Sequence, residues 1–405
     1  MDLADRRIIL GITGGIAAYK ACELARRLRD HGAQVQAVMT RSAQRFVGAA
    51  SLQALTGRPV YDDLWDARVA DGMAHIALTR DADAIVVAPA SANFLAKLAN
   101  GQCDDLLSTL ALARRPEQCK LLVAPAMNVE MWEQAATRRN VAQIVADGVL
   151  VLGPAQGDQA CGETGAGRML EADQIVADLI AAFQPKSLRG RKVLITAGPT
   201  FEAIDPVRGI TNRSSGKMGY ALARAAREAG AAVTLVSGPT ALATPHGVQR
   251  IDVDAAAQMH EQVLARADDA DVFIAVAAVA DWRAAATSTV KIKKQPGVSP
   301  APLVLASNPD ILASVAALPS PPLCVGFAAE SERLLENARA KLAAKGAAMI
   351  VANQVEAALG ADAVELVLVD ASGARTLPLA SKLEQARRII AAIGQRLTGK
   401  SEGTQ

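Results

Sequence analysis

Cysteine and aromatic residues are scarce in this 405-residue sequence, and neither sign of charge predominates. The five cysteines stand singly and form no C-x-x-C pair, which argues against a disulfide framework and against a cysteine zinc site. Lys and Arg total 43 against 41 Asp and Glu, so the net charge of +2 favours neither a nucleic-acid nor a membrane partner. Because unpaired cysteines fit a reducing compartment, we expect a cytoplasmic protein.

Long hydrophobic runs are also missing. The longest, Val272 to Ala280, is far shorter than the roughly 20 residues that span a bilayer. The opening segment, MDLADRRIILGITGG, lacks the long apolar core of a signal peptide. We therefore expect no membrane-spanning segment.

The sequence does contain enough apolar residues, 51%, to build large cores. At roughly 100–200 residues per domain, its length predicts two or three domains. In the first half, apolar runs such as RRIILGIT, DAIVVAPA and CKLLVAPA alternate with helical segments. Runs without polar alternation are typical of parallel strands that are covered on both faces.

A second cycle of strands and helices follows a polar segment at residues 185–190, which we interpret as a linker. The runs VELVLVD and GARTLPLA near the end of this cycle predict a late antiparallel pair. The fold class is therefore α/β, with two doubly wound, Rossmann-like parallel-sheet domains at residues 1–184 and 191–400. Ligands of such sheets bind at the carboxyl ends of the strands, where the unusual residues of this sequence fall.

The first glycine-rich turn, GITGGIAAYK at residues 11–20, follows a strand and leads into a helix. Its glycines would let backbone amides approach a phosphate at the helix N-terminus. A tight turn without a ligand explains the same residues equally well. Because the pattern is not G-x-G-x-x-G and no acidic residue ends the second strand, a nicotinamide-dependent reductase is a weaker alternative.

Three further segments of the first half are rich in polar residues. APASANFLAKLANGQCDDLLSTLALA, from residue 88, carries Ser, Thr and Asn residues that suit a polar ring or a ribityl chain. In APAMNVEMWEQ, the Met and Trp residues are typical of core packing, but a buried Asn128 would need hydrogen-bond partners. CGETGAGRM, residues 161–169, has the glycine content of a mobile lid.

These segments, together with MAHIALTR around residue 75, resemble the homo-oligomeric flavin-containing cysteine decarboxylases. The resemblance covers about residues 6–180 and implies a flavodoxin-like domain that binds FMN. It implies that His75, Asn128 and Cys161 surround the substrate as catalytic residues. The residues that it implies for FMN binding are Gly14, Gly15, Ser91, Asn93, Ser108, Thr109 and Met127.

Flavin chemistry is reasonable here, because an amino acid cannot lose CO2 without an electron sink and no pyridoxal-phosphate lysine motif is recognisable. Oxidation of the thiol carbon of a C-terminal cysteine places C=S β to the carboxylate, and reduction after loss of CO2 restores the thiol. Our hypothesis is that Cys161 is the acid, that His75 positions or deprotonates the substrate, and that Asn128 binds the carboxylate.

In the second half, about twenty residues, from FEAIDPVRG to SSGKM, separate a strand from the next helix. A loop of this length is usually functional, although a solvated loop is the alternative. Later loops carry an acid in AAVADWR and lysines in KIKK and ARAKLAAKG. Each of these is more often a surface feature, but cations on several strand-end loops together suggest a triphosphate.

These segments, with NPDIL and VGFAAE, are similar to the phosphopantothenate–cysteine ligases of coenzyme A biosynthesis. The bacterial members activate the acid with CTP and Mg2+, so the resemblance implies both, with Asp281 as the metal residue. It also implies catalytic roles for Asn212 and Lys291. The residues that it implies for substrate binding are Ala277, Ala278, Val279, Asp281, Lys291, Asn308, Pro309, Asp310, Ile311, Phe327, Lys341, Lys345 and Arg208.

The two resemblances imply consecutive reactions in one chain, with the later reaction placed first. The expected partners are small molecules: 4′-phosphopantothenate, cysteine and CTP. By resemblance we also expect homo-oligomers, with trimers of the first domain, dimers of the second and a possible dodecamer. A non-catalytic flavoprotein that regulates a partner is the alternative of a different class, and the intact motifs of both halves argue against it.

Overall fold

The computed structural model describes residues 1–66, 68, 73–160, 162–293, 302–354 and 361–399. Cys161 and Lys294, which the sequence had singled out, lie outside the described residues. The chain divides into two units, Met1–Phe183 and Gln184–Gln405. Among the described helices, none has both the length and the apolar character that a membrane crossing requires.

The first unit is built on a five-stranded parallel sheet with the strand order β2-β1-β3-β4-β5, and a separate antiparallel hairpin, β6–β7, follows it. Its strands are β1 (Arg7–Ile12), β2 (Gln34–Met39), β3 (Ala84–Ala90), β4 (Lys120–Pro125), β5 (Leu150–Val151), β6 (Ala155–Asp158) and β7 (Thr164–Arg168). Its helices are α1 (Lys20–Asp30), α2 (Ala49–Thr56), α3 (Ala74–Arg80), α4 (Ala92–Asn100), α5 (Leu106–Ala113), α6 (Val129–Glu133), α7 (Ala135–Ala146) and α8 (Ala172–Phe183), with 3₁₀ turns at Ile16–Tyr19 and Ala43–Arg45.

Apolar side chains on both faces of this sheet explain its layers. All seven residues of β3 are buried, as the unbroken apolar run predicted. On one face the sheet packs against α1 and α8, where Leu24, Leu28 and Ile175 are fully buried. On the other face, Phe94 and Leu110 bring α4 and α5 against it. A sheet covered on both faces leaves only its edges and strand ends open to ligands.

The second unit has an eight-stranded sheet with the order β12-β11-β8-β13-β16-β17-β18-β19. Its strands are β8 (Lys192–Ala197), β9 (Glu202–Ala203), β10 (Gly209–Ile210), β11 (Ala232–Ser237), β12 (Gln249–Asp252), β13 (Val272–Ala275), β14 (Trp282–Ala284), β15 (Leu305–Ser307), β16 (Leu323–Glu330), β17 (Met349–Gln354), β18 (Ala363–Asp370) and β19 (Gly373–Ser381). Its described helices are α9 (Lys217–Glu228), α10 (Ala256–Ala267), α11 (Ile311–Ala316), α12 (Leu334–Lys345) and α13 (Lys382–Gly399).

The first six strands in this order, from β12 through β11, β8, β13 and β16 to β17, are parallel. Strands β18 and β19 are antiparallel, as the two late apolar runs predicted. The segment 185–190, interpreted from the sequence as a linker, lies within the second unit. Leu188 there is fully buried in the second core, and its backbone N–H donates to the Ala229 carbonyl at 3.0 Å.

Candidate active sites

A cavity of about 540 Å³ opens at the carboxyl ends of β1, β3 and β4 in the first unit. It brings together five of the residues that the sequence predicted. The predicted residues that line it are Gly14, Gly15, Ser91, Met127 and Asn128. Side chains from the hairpin β6–β7 and from the loop between its strands complete the wall.

Buried Thr13 joins the ends of β1 and β3. Its hydroxyl donates to the Pro89 carbonyl at 2.8 Å and accepts from the Ser91 backbone N–H at 2.9 Å. Ser91 in turn begins α4, since its Oγ accepts from the Phe94 N–H at 3.3 Å. Gly15 follows in the turn, and a Cβ placed on it would meet no atom within 4 Å. The protein itself therefore does not require glycine at 15, whereas a ligand close to the backbone would.

The Asn128 amide is oriented by its neighbours. Its Oδ1 accepts from the Glu130 N–H at 2.8 Å and the Met131 N–H at 3.3 Å, so that the residue caps α6. Its Nδ2 donates to the Glu163 carboxylate on the loop of the hairpin. The same loop is held by Gln159, whose Oε1 accepts from the Val129 N–H at 3.0 Å. The carboxamide is thus fixed at the cavity wall with its NH2 group toward the hairpin.

Two cationic side chains line the same cavity near a shared carboxylate. The Lys20 ammonium lies 2.6 Å from Glu171 Oε1, and an Arg168 nitrogen lies 3.6 Å from the same oxygen. The Lys20 side chain is largely buried, whereas Glu171 is more than half exposed. An anionic ligand in this cavity would therefore meet positive charge that is only partly neutralised.

Four other predicted residues of the first half, all among the described residues, do not line this cavity. Ser108 is buried as the N3 member of the capping box of α5, and Thr109 donates to the Asp105 carbonyl at 2.7 Å. Asn93 is exposed on α4. His75 lies on α3, and its buried Nδ1 has no hydrogen-bond partner among the described residues.

A second cavity, of about 700 Å³, lies in the second unit beside the ends of β13 and β16 and the start of α9. The predicted residues that line it are Asn212, Ala278, Val279, Asp281 and Phe327. The long loop after β8, which contains the short pair β9–β10, contributes residues 210–216 to the wall. The functional loop that its length predicted thus does lie at a cavity.

Asn212 ties this loop to the end of β13. Its Nδ2 donates to the Ala278 carbonyl at 2.6 Å, and its Oδ1 accepts from the Ser214 N–H at 3.0 Å. Thr200 adds a second link, because its hydroxyl accepts from the Ala280 N–H at 3.0 Å. Ala277 donates its N–H to the Thr196 hydroxyl at 3.2 Å and stands behind the lining residues.

Asn308 joins the Asp281 loop to the loop before α11. Its Nδ2 donates to the Ala280 carbonyl at 2.8 Å, and its N–H donates to the Asp281 carbonyl at 2.9 Å. Asp310, two residues further on, caps α11 by accepting from the Ala313 N–H at 2.9 Å. Pro309 and Ile311 flank Asp310, and Ile311 is buried in the core. Two loops that are 27 residues apart in sequence therefore form one surface.

The two lysines of α12 have different partners. The Lys341 ammonium donates to the Phe327 carbonyl at 2.7 Å, and Lys345 pairs with the Asp310 carboxylate. Burial, partly opposed by the charge of Glu330, lowers the pKa of the Lys341 ammonium. Burial acts to raise the pKa of Asp310, but the hydrogen bonds from Lys345 and the Ala313 N–H and the charges of Lys345 and Lys341 together outweigh it, so the pKa is lowered. Asp310 therefore remains ionised and holds Lys345 near the loop.

A buried carboxylate that the sequence did not single out anchors the segment beside Lys291. Asp205 Oδ2 accepts from Arg208 Nη2 at 2.6 Å and from the Ile292 N–H at 3.1 Å, and Arg208 Nη2 also donates to the Ile292 carbonyl at 2.9 Å. The hydrogen-bonded Arg208 guanidinium holds the pKa of Asp205 well below its ordinary value, although burial acts in the opposite direction. We name these contacts among Asp205, Arg208 and Ile292 the Asp205 clip. Arg208, predicted as a substrate-binding residue, thus forms part of this clip. Exposed Lys291 lies one residue before it.

The cavity also contains residues that sequence reasoning missed. Lys382, Asn353 and Trp282 line it, although they come from three separate elements of the unit. Trp282 directly follows Asp281 in the AAVADWR segment, which is the sequence signal that could have found it. Lys382 and Asn353 stood in no quoted motif, and only the order of the strands brings them to the same cavity.

The two cavities differ in the groups they offer to a cofactor or a metal. The open space at Gly15 and the Ser91 side chain at the start of α4 suit a phosphate-bearing ring system in the first cavity. In the described part of the chain, no group of three or more His, Cys, Asp or Glu residues is placed to hold a metal. Asp281 alone would suit Mg2+ that is bound mainly through phosphate oxygens, as Mg2+ commonly is.

Comparisons with known proteins find a matching family for each half of the chain. The sequence pattern of the Flavoprotein family matches residues 1–184. That of the family described as DNA/pantothenate metabolism flavoprotein C-terminal domain matches residues 188–397.

Full-length relatives are the coenzyme A biosynthesis bifunctional proteins CoaBC of three bacteria. That of Vibrio vulnificus strain CMCP6 is 47% identical over 98% of this chain and 99% of its own length. That of Escherichia coli K12 is 46% identical over 94% and 95%, and that of Bacillus subtilis 168 is 43% identical over 96% of each.

Two solved structures each match one part of the chain. The C-terminal domain of a CoaBC protein is 40% identical over 53% of this chain and 99% of that chain, with a TM-score of 0.46. A PPC decarboxylase mutant complexed with pantothenoylaminoethenethiol is 34% identical over 43% of this chain and 96% of that chain, with a TM-score of 0.40.

Proposed function

Since this chain belongs to the family of bifunctional coenzyme A biosynthesis proteins, we propose that its two cavities catalyse two consecutive steps of that pathway. The second unit joins cysteine to 4′-phosphopantothenate. The first unit decarboxylates the resulting 4′-phosphopantothenoylcysteine to 4′-phosphopantetheine. One observation carries the proposal: the Asn for which each resemblance implies a catalytic role lies at the wall of its own cavity, hydrogen-bonded in a fixed orientation.

In the ligation, the substrate carboxylate attacks the α-phosphorus of CTP, and pyrophosphate leaves. The cysteine amine then attacks the acyl carbon of the acyl-cytidylate, and CMP leaves with the bond electrons. Lys291 would neutralise charge that develops on the phosphates, and stabilisation of this kind usually contributes most to the rate of such transfers. Asp281 would hold Mg2+ together with the phosphate oxygens, and Asn212 would bind the cytidylate through its oriented amide.

In the decarboxylation, the first cavity would hold FMN at Gly14, Gly15, Ser91 and Met127. When bound, FMN supplies the reversible two-electron oxidation of the thiol carbon that makes loss of CO2 possible. Asn128 would bind the departing carboxylate, because its NH2 group already faces a carboxylate of the hairpin loop. Cys161, which lies outside the described residues, keeps its predicted role as the acid that protonates the product carbon.

We further propose that a second copy of the chain completes the first cavity. Two residues of its wall, Ile16 and Tyr19, expose 64% and 59% of their surface. His75 does not line the cavity, and its buried Nδ1 has no partner among the described residues. The predicted trimers of the first unit, dimers of the second and dodecamer would be measured by light scattering coupled to gel filtration. Free thiols at Cys22 and Cys103 agree with the cytoplasmic location that we predict.

Mass spectrometry of one reaction would test the proposal. Purified chain is incubated with 4′-phosphopantothenate, cysteine, CTP and Mg2+, and a matched reaction omits CTP. We expect 4′-phosphopantetheine only when CTP is present.

Accumulation of the cysteine adduct alone would contradict the decarboxylase half and support the ligase half. Absence of any adduct would contradict the ligation, and supplied 4′-phosphopantothenoylcysteine would then test the first cavity. An unchanged supplied adduct would leave a non-catalytic flavoprotein as the better interpretation.

A further inference from the structure

Lys382 lines the second cavity from the first residue of α13, directly after β19. Its backbone N–H donates to the Asp362 carbonyl at 2.9 Å, which fixes the start of the helix against β18. Val364 and Leu366 of β18 also line the cavity. The Lys382 side chain thus shares the cavity wall with apolar residues, and an ammonium group near them is less well solvated than one in open water.

A second lysine crowds the same corner. Lys217, the first residue of α9, places its ammonium 2.7 Å from Asp362 Oδ1. Burial and the charge of Lys217 lower the pKa of Lys382, while Asp362 acts in the opposite direction. Because the Asp362 side chain is 88% exposed, its charge is largely screened by solvent. This corner of the cavity therefore carries an excess of positive charge.

Acidic side chains are scarce along the rest of the wall of the second cavity. Of the described residues that line the cavity, Asp281 is the acidic one, and Arg213 and Lys382 are the basic ones. The start of α9 adds backbone N–H groups without intrahelical acceptors, and Gly216, at its N-cap, belongs to the wall. Partly desolvated cations next to such N–H groups are complementary to phosphate oxygens.

We propose that Lys382 is a phosphate-binding residue of the second cavity, supported by Lys217 at the start of α9. This inference rests on the ligation proposed for the second unit, because two of the three substrates of that reaction, CTP and 4′-phosphopantothenate, carry phosphate. The phosphate could belong to the nucleotide triphosphate or to the phosphate monoester of the acid. The two sources share one chemistry, and substrate kinetics distinguish them.

The test is Lys382→Gln in the full-length chain, with pyrophosphate release measured while CTP and 4′-phosphopantothenate are varied separately. A lost charge-assisted hydrogen bond should raise one KM by about 10- to 100-fold. A higher KM for 4′-phosphopantothenate, with unchanged turnover of unphosphorylated pantothenate, would assign Lys382 to the monoester. A higher KM for CTP with either acid would assign it to the triphosphate.

Two variants control for structural effects. Lys382→Arg keeps a cation and should recover much of the lost affinity. Lys192→Gln removes a lysine at the start of β8, where Lys192 pairs with Asp269, and should leave both KM values unchanged. If both KM values of Lys382→Gln stay within twofold of the unsubstituted chain, the proposal is wrong. It is equally wrong if kcat falls alike with phosphorylated and unphosphorylated acid while neither KM moves.

Calorimetric titrations with CTP, with inorganic pyrophosphate and with 4′-phosphopantothenate, each added alone, separate this inference from the proposed reaction. If the unsubstituted chain released no pyrophosphate, the ligation would be refuted, but weaker binding of any of the three probes by Lys382→Gln would still support the phosphate site. Equal binding of 4′-phosphopantothenate, CTP and pyrophosphate by the two proteins would overturn it.

Discussion

The two cavities lie at the carboxyl ends of parallel strands in sheets of the same type, beside glycine-rich turns, yet the glycines serve different purposes. At Gly15 an added Cβ would meet nothing within 4 Å. At Gly219 an added Cβ would lie 2.5 Å from the Cβ of Ala197, so that glycine there lets α9 pack closely on β8. A glycine pattern alone therefore does not distinguish a turn that receives a ligand from a helix that packs tightly on a sheet.

The walls differ as well. A hairpin that is hydrogen-bonded to the Asn128 loop forms one side of the first cavity. The second cavity is bounded by an antiparallel strand of its own sheet and by two separate basic residues, Arg213 and Lys382. The first arrangement suits a bound ring system that stays in place, and the second suits a polyanion that must enter and leave. Variants that affect one cavity alone would sharpen this comparison.

The largest expected effect is that of Lys291→Gln. Removal of one charge that stabilises the transition state typically costs about 100-fold or more in kcat. We expect acyl-cytidylate and pyrophosphate formation to fall by that factor, while decarboxylation of supplied 4′-phosphopantothenoylcysteine is unchanged. Quench-flow detection of the cytidylate would measure the first value. Normal pyrophosphate release would remove Lys291 from the mechanism.

Asn128→Asp should have a comparable effect on the other cavity. An aspartate can still accept from the Glu130 and Met131 N–H groups, so that the cap of α6 survives. It loses the NH2 donor and faces Glu163 with like charge. We expect CO2 release to fall by about 100-fold with ligation intact. Decarboxylation within threefold of the unsubstituted chain would contradict the assigned role.

Asp205→Asn tests the Asp205 clip and should have a smaller effect. An asparagine side chain has one accepting oxygen and an NH2 group in place of the second, and it carries no charge, so the contacts to Arg208 and Ile292 weaken. Misplacement of Lys291 should lower kcat for cytidylate formation by about tenfold with less change in the KM for CTP. A loss confined to KM would show that the clip acts on binding instead.

The same variant has a pH signature. The pKa of Asp205 is lowered in the folded chain, so its stabilisation is complete above the ordinary carboxyl pKa of about 3.9 and is lost as the pH falls below it. The deficit in thermal midpoint of Asp205→Asn should therefore be largest near neutral pH and shrink in acid. Thermal unfolding between pH 3 and 7 would measure it, and a deficit that is independent of pH would contradict the ionised role.

The smallest effects separate the two glycines. Gly219→Ala should lower the free energy of unfolding of the second unit by about 1–3 kcal/mol, because it overpacks against Ala197. Gly15→Ala should leave stability almost unchanged and reduce the flavin that copurifies with the chain. Urea unfolding and flavin absorbance would provide the two values. If Gly15→Ala lost stability and Gly219→Ala lost flavin instead, our assignment of the ligand to the turn at Gly15 would be wrong.

Much of this architecture could be predicted because it depends on local pattern. The uninterrupted apolar run of β3 and the late pair β18–β19 followed from the sequence. The wall positions of Asn128 and Asn212 likewise followed from motifs that stand at strand ends.

Other features depend on contacts between distant segments. The segment of the predicted glycine-rich lid forms part of a hairpin, β6–β7, that is held by Gln159 and Glu163. Asp205 bonds a residue 87 positions away, and Lys382 reaches a wall formed mostly by residues more than 50 positions earlier. A buried carboxylate or a lone lysine has no periodicity of its own, so only the strand order reveals its partners.

The positions of the two linings along the chain have a consequence during synthesis. The wall of the first cavity ends at Met169, whereas the wall of the second needs residues as late as Lys382. At translation rates of about 5–20 residues per second, the roughly 200 residues between them take some 10–40 s. A nascent or truncated chain that lacks α13 would therefore contain every residue that one chain contributes to the first cavity wall but not all those of the second. Such a chain would consume the shared intermediate without producing it, so that interrupted synthesis would not cause this intermediate to accumulate.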